Sequence, residues 1–266
     1  MEKKHLNLLF IADIIGKPGL NVVRRHINAV KKKYNIDFCI ANGENGAGGK
    51  GLTEPIAYEY FEIGIDAITS GNHIFEKDKI FTFLNENQRI LRPINYPLSN
   101  HGHGSLIATI KNGIKIAVIN AQGRTFMYPI DCPFRTISEE INRISQITPV
   151  IIVDFHAEAS AEKVAMGWYL NGKVSAVVGT HTHVQTADER ILDKGTAYIT
   201  DVGMTGPFDS VIGLKKDVAI KRFINQIPAR YQIADADLRF CGVVITVDAI
   251  NGKAISIERL FFKDVC

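Results

Sequence analysis

The chain is poor in the features that would give it a simple identity. Its four cysteines, Cys39, Cys132, Cys241 and Cys266, are scattered through 266 residues with no CxxC pair. That excludes a disulfide-stapled scaffold and a thiolate zinc site, and it fits reduced thiols in a cytoplasmic protein. No apolar run approaches the roughly 20 residues that span a bilayer. The apolar run Leu6–Ala12 is too short for a signal peptide and is broken by Asp13. Charge of one sign is also scarce: the formal net charge is +3. Proteins that track a nucleic-acid duplex usually carry a concentrated basic face, so a duplex is a poor candidate for the main partner. Repeats and low-complexity tracts are absent. With 46% hydrophobic and 22% charged residues, the composition is that of an ordinary globular chain, not a disordered one.

What is present is a recurring alternation. Short apolar runs at Leu6–Ala12, Phe38–Ala41, Ala67–Thr69, Val150–Val153, Ala176–Gly179 and Gly195–Thr200 read as strands buried on both faces. Between them lie helical patterns. Leu20–Tyr34 places Val22, Val23, Ile27 and Val30 on one side, after a Gly16–Gly19 loop, and ends in the solvated Lys31-Lys32-Lys33. Thr53 is placed to cap a second helix, Ser138 a third running to about Thr148, and a fourth is expected over Ala159–Leu170. Asn112-Gly113 and Asn251-Gly252, each between apolar runs, are hairpin signals. The pattern predicts an α/β fold in one domain over residues 1–266, with elaborations near 121–136 and 203–235.

The eight histidines give that fold a chemistry. Successive strands deliver Asp13, then Glu44 and Asn45, then Asn72 and His73, then His156, then His181 and His183. Ligands of open α/β sheets gather beyond the carboxyl ends of the strands, so five strand ends can converge. Taken singly, each element has a plainer reading. Asp13 could cap a loop, Gly43-Glu44-Asn45-Gly46 could be a turn, and His156 could be a satisfied core histidine. Their common placement favours a mixed oxygen and nitrogen site for iron, manganese or zinc, with Glu44 able to bridge two ions. Two such ions can clamp a phosphoryl group and supply hydroxide near neutral pH.

Asp13, Gly71-Asn72-His73, His156 and Thr180-His181-Thr182-His183 resemble, in order, the motifs of calcineurin-like metallophosphoesterases. The YmdB-like branch is resembled most. Its hallmarks stand here as Ile11–Gly16, Asn42-Gly43-Glu44-Asn45, Ser70–His73, Gly179–His183 and Thr200–Pro207. Two departures from the wider superfamily match that branch: Ile15 where a histidine usually follows the aspartate, and Glu44-Asn45 where an aspartate usually bridges.

The resemblance implies a four-layer α/β/β/α sandwich, two mixed sheets flanked by helices. It implies one ion, most characteristically iron, held by Asp13, Glu44, Asn45 and His183. A second would be held by Glu44, Asn72, His156 and His181, with His73 as general acid. The implied activity is phosphodiester hydrolysis of cyclic nucleotides, foremost 2′,3′-cyclic nucleotides opened to 3′-nucleotides, with RNA-derived ends as further candidate partners. A phosphomonoesterase and a non-catalytic sensor of nucleotides or RNA ends are the competing readings. A metal-dependent amidohydrolase would begin with HxH on the first strand, where this chain has Asp13. Arg124 is a weaker candidate for phosphate contact. His101 and His103 are assigned to a surface loop, Trp168 to packing, and Met204–Gly213 to pocket shape or a homo-oligomer contact.

Overall fold

The computed structural model describes residues 4–110 and 113–264. Glu2 and Lys3, Asn112 of the first hairpin signal and Cys266 lie outside the described residues. In chain order the elements are β1 (His5–Ile11), β2 (Asp13–Ile14), α1 (Gly16–Tyr34), β3 (Phe38–Asn42), α2 (Glu54–Glu62), β4 (Ala67–Thr69), α3 (Ile80–Glu86), β5 (Ser105–Thr109), β6 (Lys115–Gln122), α4 (Pro133–Ile144), β7 (Ile151–His156), α5 (Ser160–Leu170), β8 (Ala176–Thr180), β9 (Arg190–Ile191), β10 (Ala197–Ile199), β11 (Met204–Pro207), α6 (Lys216–Asn225), β12 (Leu238–Asp248) and β13 (Ala254–Lys263).

Two mixed sheets form. The first has the order β2-β11-β12-β1-β3-β4, with β13 also pairing β12; the second has the order β5-β6-β7-β8-β10-β9. Strands β1, β3 and β4 run parallel, as do β6, β7, β8 and β10. Both hairpins expected from the turn signals pair antiparallel, β5 with β6 and β12 with β13.

Three buried clusters separate four layers. One lies between α1, α2, α3 and the first sheet, and includes Val23, Ile27, Leu9, Cys39, Tyr60 and Leu84. The second is the seam between the sheets, built from residues such as Leu8, Phe10, Ile40, Val118, Ile152 and Val178. The third packs α4 and α5 on the second sheet through Ile137, Ile141, Met166 and Leu170. Strand side chains alternate, so Val118 faces the seam while Ala117 and Ile119 face the helices. The expected α/β/β/α sandwich is therefore the observed one. Among the described residues no helix is long and apolar enough to cross a membrane.

Several local expectations need correction. Residues Gly16–Gly19 are not a loop before α1 but its first turn, which accepts Pro18 because the first helical N–H groups have no intrahelical acceptor. The helix expected from Ser138 begins at Pro133, again with proline in the first turn, and ends at Ile144. Thr53 occupies the N-cap position of α2 but makes no side-chain capping bond. Trp168 is not core packing: it is exposed, with the Arg190 guanidinium 5.8 Å from its ring centroid.

Candidate metal centre

The seam core runs out at the carboxyl ends of the strands, and there its apolar side chains give way to polar ones. On β3 the seam-facing Phe38 and Ile40 are followed by Asn42; on β6 Ile116 and Val118 are followed by Asn120 and Gln122. On β7 Ile152 is followed by Asp154 and His156. Register locks these groups together, since Asn120 pairs with Asp154, Gln122 with His156, and His156 with Thr180. The expected residues Asp13, Glu44, Asn45, His156 and His183 are all buried at this end.

Most of them meet. Glu44 Oε1 lies 3.1 Å from His156 Nε2. The same nitrogen lies 3.1 Å from Asn72 Oδ1 and 3.0 Å from His181 Nδ1. Metal-capable atoms of Glu44, His156 and His181 all fall within 4.8 Å of one another. The other oxygen of Glu44 accepts the His73 backbone N–H at 2.9 Å. Asp13 joins through Oδ2, which accepts the His181 backbone N–H at 3.2 Å. Asn45 and His183 form a neighbouring pair, with Nδ2 and Nε2 3.3 Å apart. His73 Nε2 is 3.4 Å from the Asn72 carboxamide, and its Nδ1 is 3.2 Å from Glu76 Oε1.

Hydrogen bonds behind each imidazole fix which nitrogen faces the cluster. Thr180 Oγ1 donates to Asp154 Oδ1 at 2.7 Å, so its oxygen accepts from His156 Nδ1 at 2.9 Å. His156 Nε2 is thereby left toward Glu44. His183 Nδ1 donates to the Ile212 carbonyl at 3.0 Å, which leaves Nε2 toward Asn45. His181 Nε2 sits 2.9 Å from Glu158 Oε2, which leaves Nδ1 inward. This is how the outer partners of metal-binding histidines set tautomer and orientation. His181 and His183 also adopt positive φ, +101° and +64°. Such backbone costs about 1–3 kcal/mol per non-glycine residue and collects at functional sites.

The electrostatics suit a cation. Burial, with repulsion from Glu44 and Asp201, pushes the Asp13 carboxyl well above its usual range against the pull of His156. One Asp13 oxygen, Oδ1, is buried without a hydrogen-bond partner among the described residues. Burial opposes the Glu44 charge, yet His156 and His73 outweigh it and hold that carboxyl at about 2. Burial likewise disfavours charge on His156, but Glu44 raises it to about 9. Burial and the nearby His156 charge lower His181 to about 2, in the neutral form that binds metals. A cation between Glu44 and His156 competes with the proton they share, and it would give Asp13 Oδ1 its missing partner. The donor set, carboxylate, carboxamide and imidazole without thiolate, therefore fits a metal ion.

Among the described residues no hydrogen bond or ion pair brings Arg124 into this cluster. It is exposed, two residues past the end of β6, and its backbone N–H donates to Glu162 at 3.0 Å. His101 and His103 are held elsewhere by Asn85, as expected of a loop pair outside the site. Sequence reasoning missed Asp154, Glu158 and Gln122, and gave Thr180 no role beyond its place in the histidine motif. Asp154 was within reach of the strand alternation, because it lies two residues before His156 and must share its face. Gln122 is fully buried opposite His156; Tyr96 donates to its Oε1 at 3.0 Å, and its Nε2 has no partner among the described residues.

Known proteins share this architecture. The family model described as YmdB-like protein matches residues 9–260. A 2′,3′-cyclic-nucleotide 2′-phosphodiesterase of Bacillus subtilis (strain 168) is 50% identical over 260 residues, covering 97% of this chain and 98% of its own. A crystal structure described as a novel phosphatase from Mycoplasma pneumoniae superposes with a TM-score of 0.91 at 36% identity, over 97% of this chain and 94% of its own. A hypothetical protein from Thermus thermophilus also gives a TM-score of 0.91, at 35% identity, over 98% of this chain and all of its own.

Proposed function

This chain belongs to the YmdB-like family, and from that premise we propose that it is a metal-dependent phosphodiesterase opening 2′,3′-cyclic nucleotides to 3′-nucleotides. The observation that carries the reading is the convergence of Glu44, Asn72, His156 and His181 on one buried spot, beside Asp13 and the Asn45–His183 pair. The B. subtilis relative supplies the substrate class. The chain is read as one domain serving this site, because both sheets contribute to it.

Asp13, Glu44, Asn45 and His183 would hold one ion; Glu44, Asn72, His156 and His181 would hold the other. When bound, such ions, iron with manganese or zinc as substitutes, neutralise the phosphoryl oxygens and activate water. The chain's own residues do the rest. Glu44 keeps its charge at neutral pH, so both oxygens remain available as acceptors. The asparagine carboxamides add donors without adding charge. As water bonds to phosphorus and sheds a proton to solvent, the bond to the 2′ oxygen breaks and His73 places a proton from Nε2 on that oxygen. Glu76, on the far side of the ring, holds Nδ1 at 3.2 Å and so orients the imidazole.

The test is elemental analysis of anaerobically purified protein, with identification of the product from 2′,3′-cyclic AMP. About two ions per chain and release of 3′-AMP are expected. A metal-free sample with full activity, or turnover confined to phosphomonoesters in a matched panel, would overturn the reading.

A further inference from the structure

Outside the converging side chains lies a second polar group that the mechanism leaves unused. Lys163 on α5 and Asp201, just past β10, form an ion pair at 2.6 Å with both side chains 1% exposed. Lys163 carries no signal in the sequence, and Asp201 stands there only within the family-like segment Thr200–Pro207. A buried pair of this kind is a weak source of stability, because losing water's solvation offsets the attraction between the charges. Its use is found in what else Asp201 holds. The oxygen that meets Lys163, Oδ2, also accepts the Thr182 backbone N–H at 3.0 Å and the Thr182 hydroxyl at 2.8 Å. The other oxygen accepts the Gly203 N–H at 2.8 Å.

Thr182 stands between the two histidines with positive φ. A strained segment persists when its surroundings over-determine it. Here the middle residue is tied by two bonds to one carboxylate, itself fixed by a lysine from another element. We propose that Lys163 and Asp201 are positioning residues: they clamp Thr182 so that His181 and His183 present their inner nitrogens to the cation site. The proposal rests on the metal-centre reading above.

Binding of Mn²⁺ by metal-stripped protein, followed by calorimetry, tests the clamp alongside the melting temperature of the same metal-free protein. Lys163→Met alone strands a buried carboxylate and should lower both. The decisive variant is Lys163→Met with Asp201→Leu. Replacing the whole pair by apolar groups should return most of the melting temperature, which is all that a structural role requires. Mn²⁺ affinity should stay at least about tenfold weaker, the loss typical when outer partners of metal ligands are removed. A double variant that regains stability and binds Mn²⁺ like the wild type overturns the proposal.

If the double variant does not fold, Thr182→Val decides, since it keeps the ion pair and removes only the hydroxyl bond. It should weaken Mn²⁺ binding while the metal-free melting temperature falls by only a few degrees, since Lys163 and the Thr182 N–H still meet the carboxylate, and unchanged affinity overturns the clamp. Wild-type protein that binds no Mn²⁺ would instead bring down the metal-centre reading, and the clamp with it. The two failures are thus separable.

Discussion

Glu44 and His73 are joined by a hydrogen bond, yet substitution separates their roles. Glu44 is buried among histidines, and its two oxygens reach His156 and the backbone of His73. Glu44→Ala should therefore lower metal content and turnover together; full turnover in metal-replete Glu44→Ala protein would rule out the bridging assignment. His73→Ala should retain its bound metal and the fold, while kcat for 2′,3′-cyclic AMP drops by about 10²–10⁴, the usual weight of a general acid. The loss should shrink with a diester whose leaving group needs no proton, such as bis(p-nitrophenyl) phosphate. An equal loss on both substrates would place His73 outside proton transfer. Thr180 offers a subtler case. Thr180→Val removes the acceptor for His156 Nδ1 and one donor to Asp154. Metal affinity measured by competition with a chelator should weaken about 10–100-fold.

Strands explain why these residues meet, and also why some were legible and others were not. The runs at Ala67–Thr69 and Phe38–Ala41 are continuous and apolar, so their ends were visible, and the site residues beyond them were visible as interruptions. Asp154 and Gln122 lie inside or at the last position of a strand, where a polar residue reads as a pause in the pattern. Strand β2 is two residues long, and its partner β11 is Met204–Pro207; neither carries a periodicity to detect. Only the parallel pairing of Met204 with Asp13 reveals that the segment resembling the family near Thr200–Pro207 supports the first candidate ligand. Helix α6 keeps only Ala219 buried, so it lacks the apolar stripe that marks a helix in sequence. Close approach of loop to strand is likewise invisible before folding. A Cβ on Gly71 would overlap the imidazole ring of His156. Gly71→Ala should force that ring away from Glu44 and reduce bound metal, with far-ultraviolet circular dichroism unchanged. Unaltered metal content would show that the loop yields and the ring does not.

At the scale of the molecule, the candidate site joins two layers. Asp13, Glu44, Asn45 and Asn72 hang from the first sheet, whereas His156, His181 and His183 hang from the second. Ions held by both sets would fasten the sheets across the seam at the end where its apolar core is replaced by polar groups. A ligand that binds the folded state alone stabilises it by about 2.7 kcal/mol at one hundred times its Kd and about 4.1 kcal/mol at one thousand times. For a chain of this size each kcal/mol moves the melting temperature by roughly 2–4 °C. Removing the metals should therefore lower it by roughly 5–16 °C for each ion held, and adding back Mn²⁺ should restore it. The change should also have a place. Hydrogen exchange should quicken at the carboxyl ends of β3, β7 and β8, while the amides of β12 and β13, which carry none of the candidate ligands, keep their protection. Uniform loss of protection over both sheets would mean that the ions stabilise the whole fold without fastening this end of the seam.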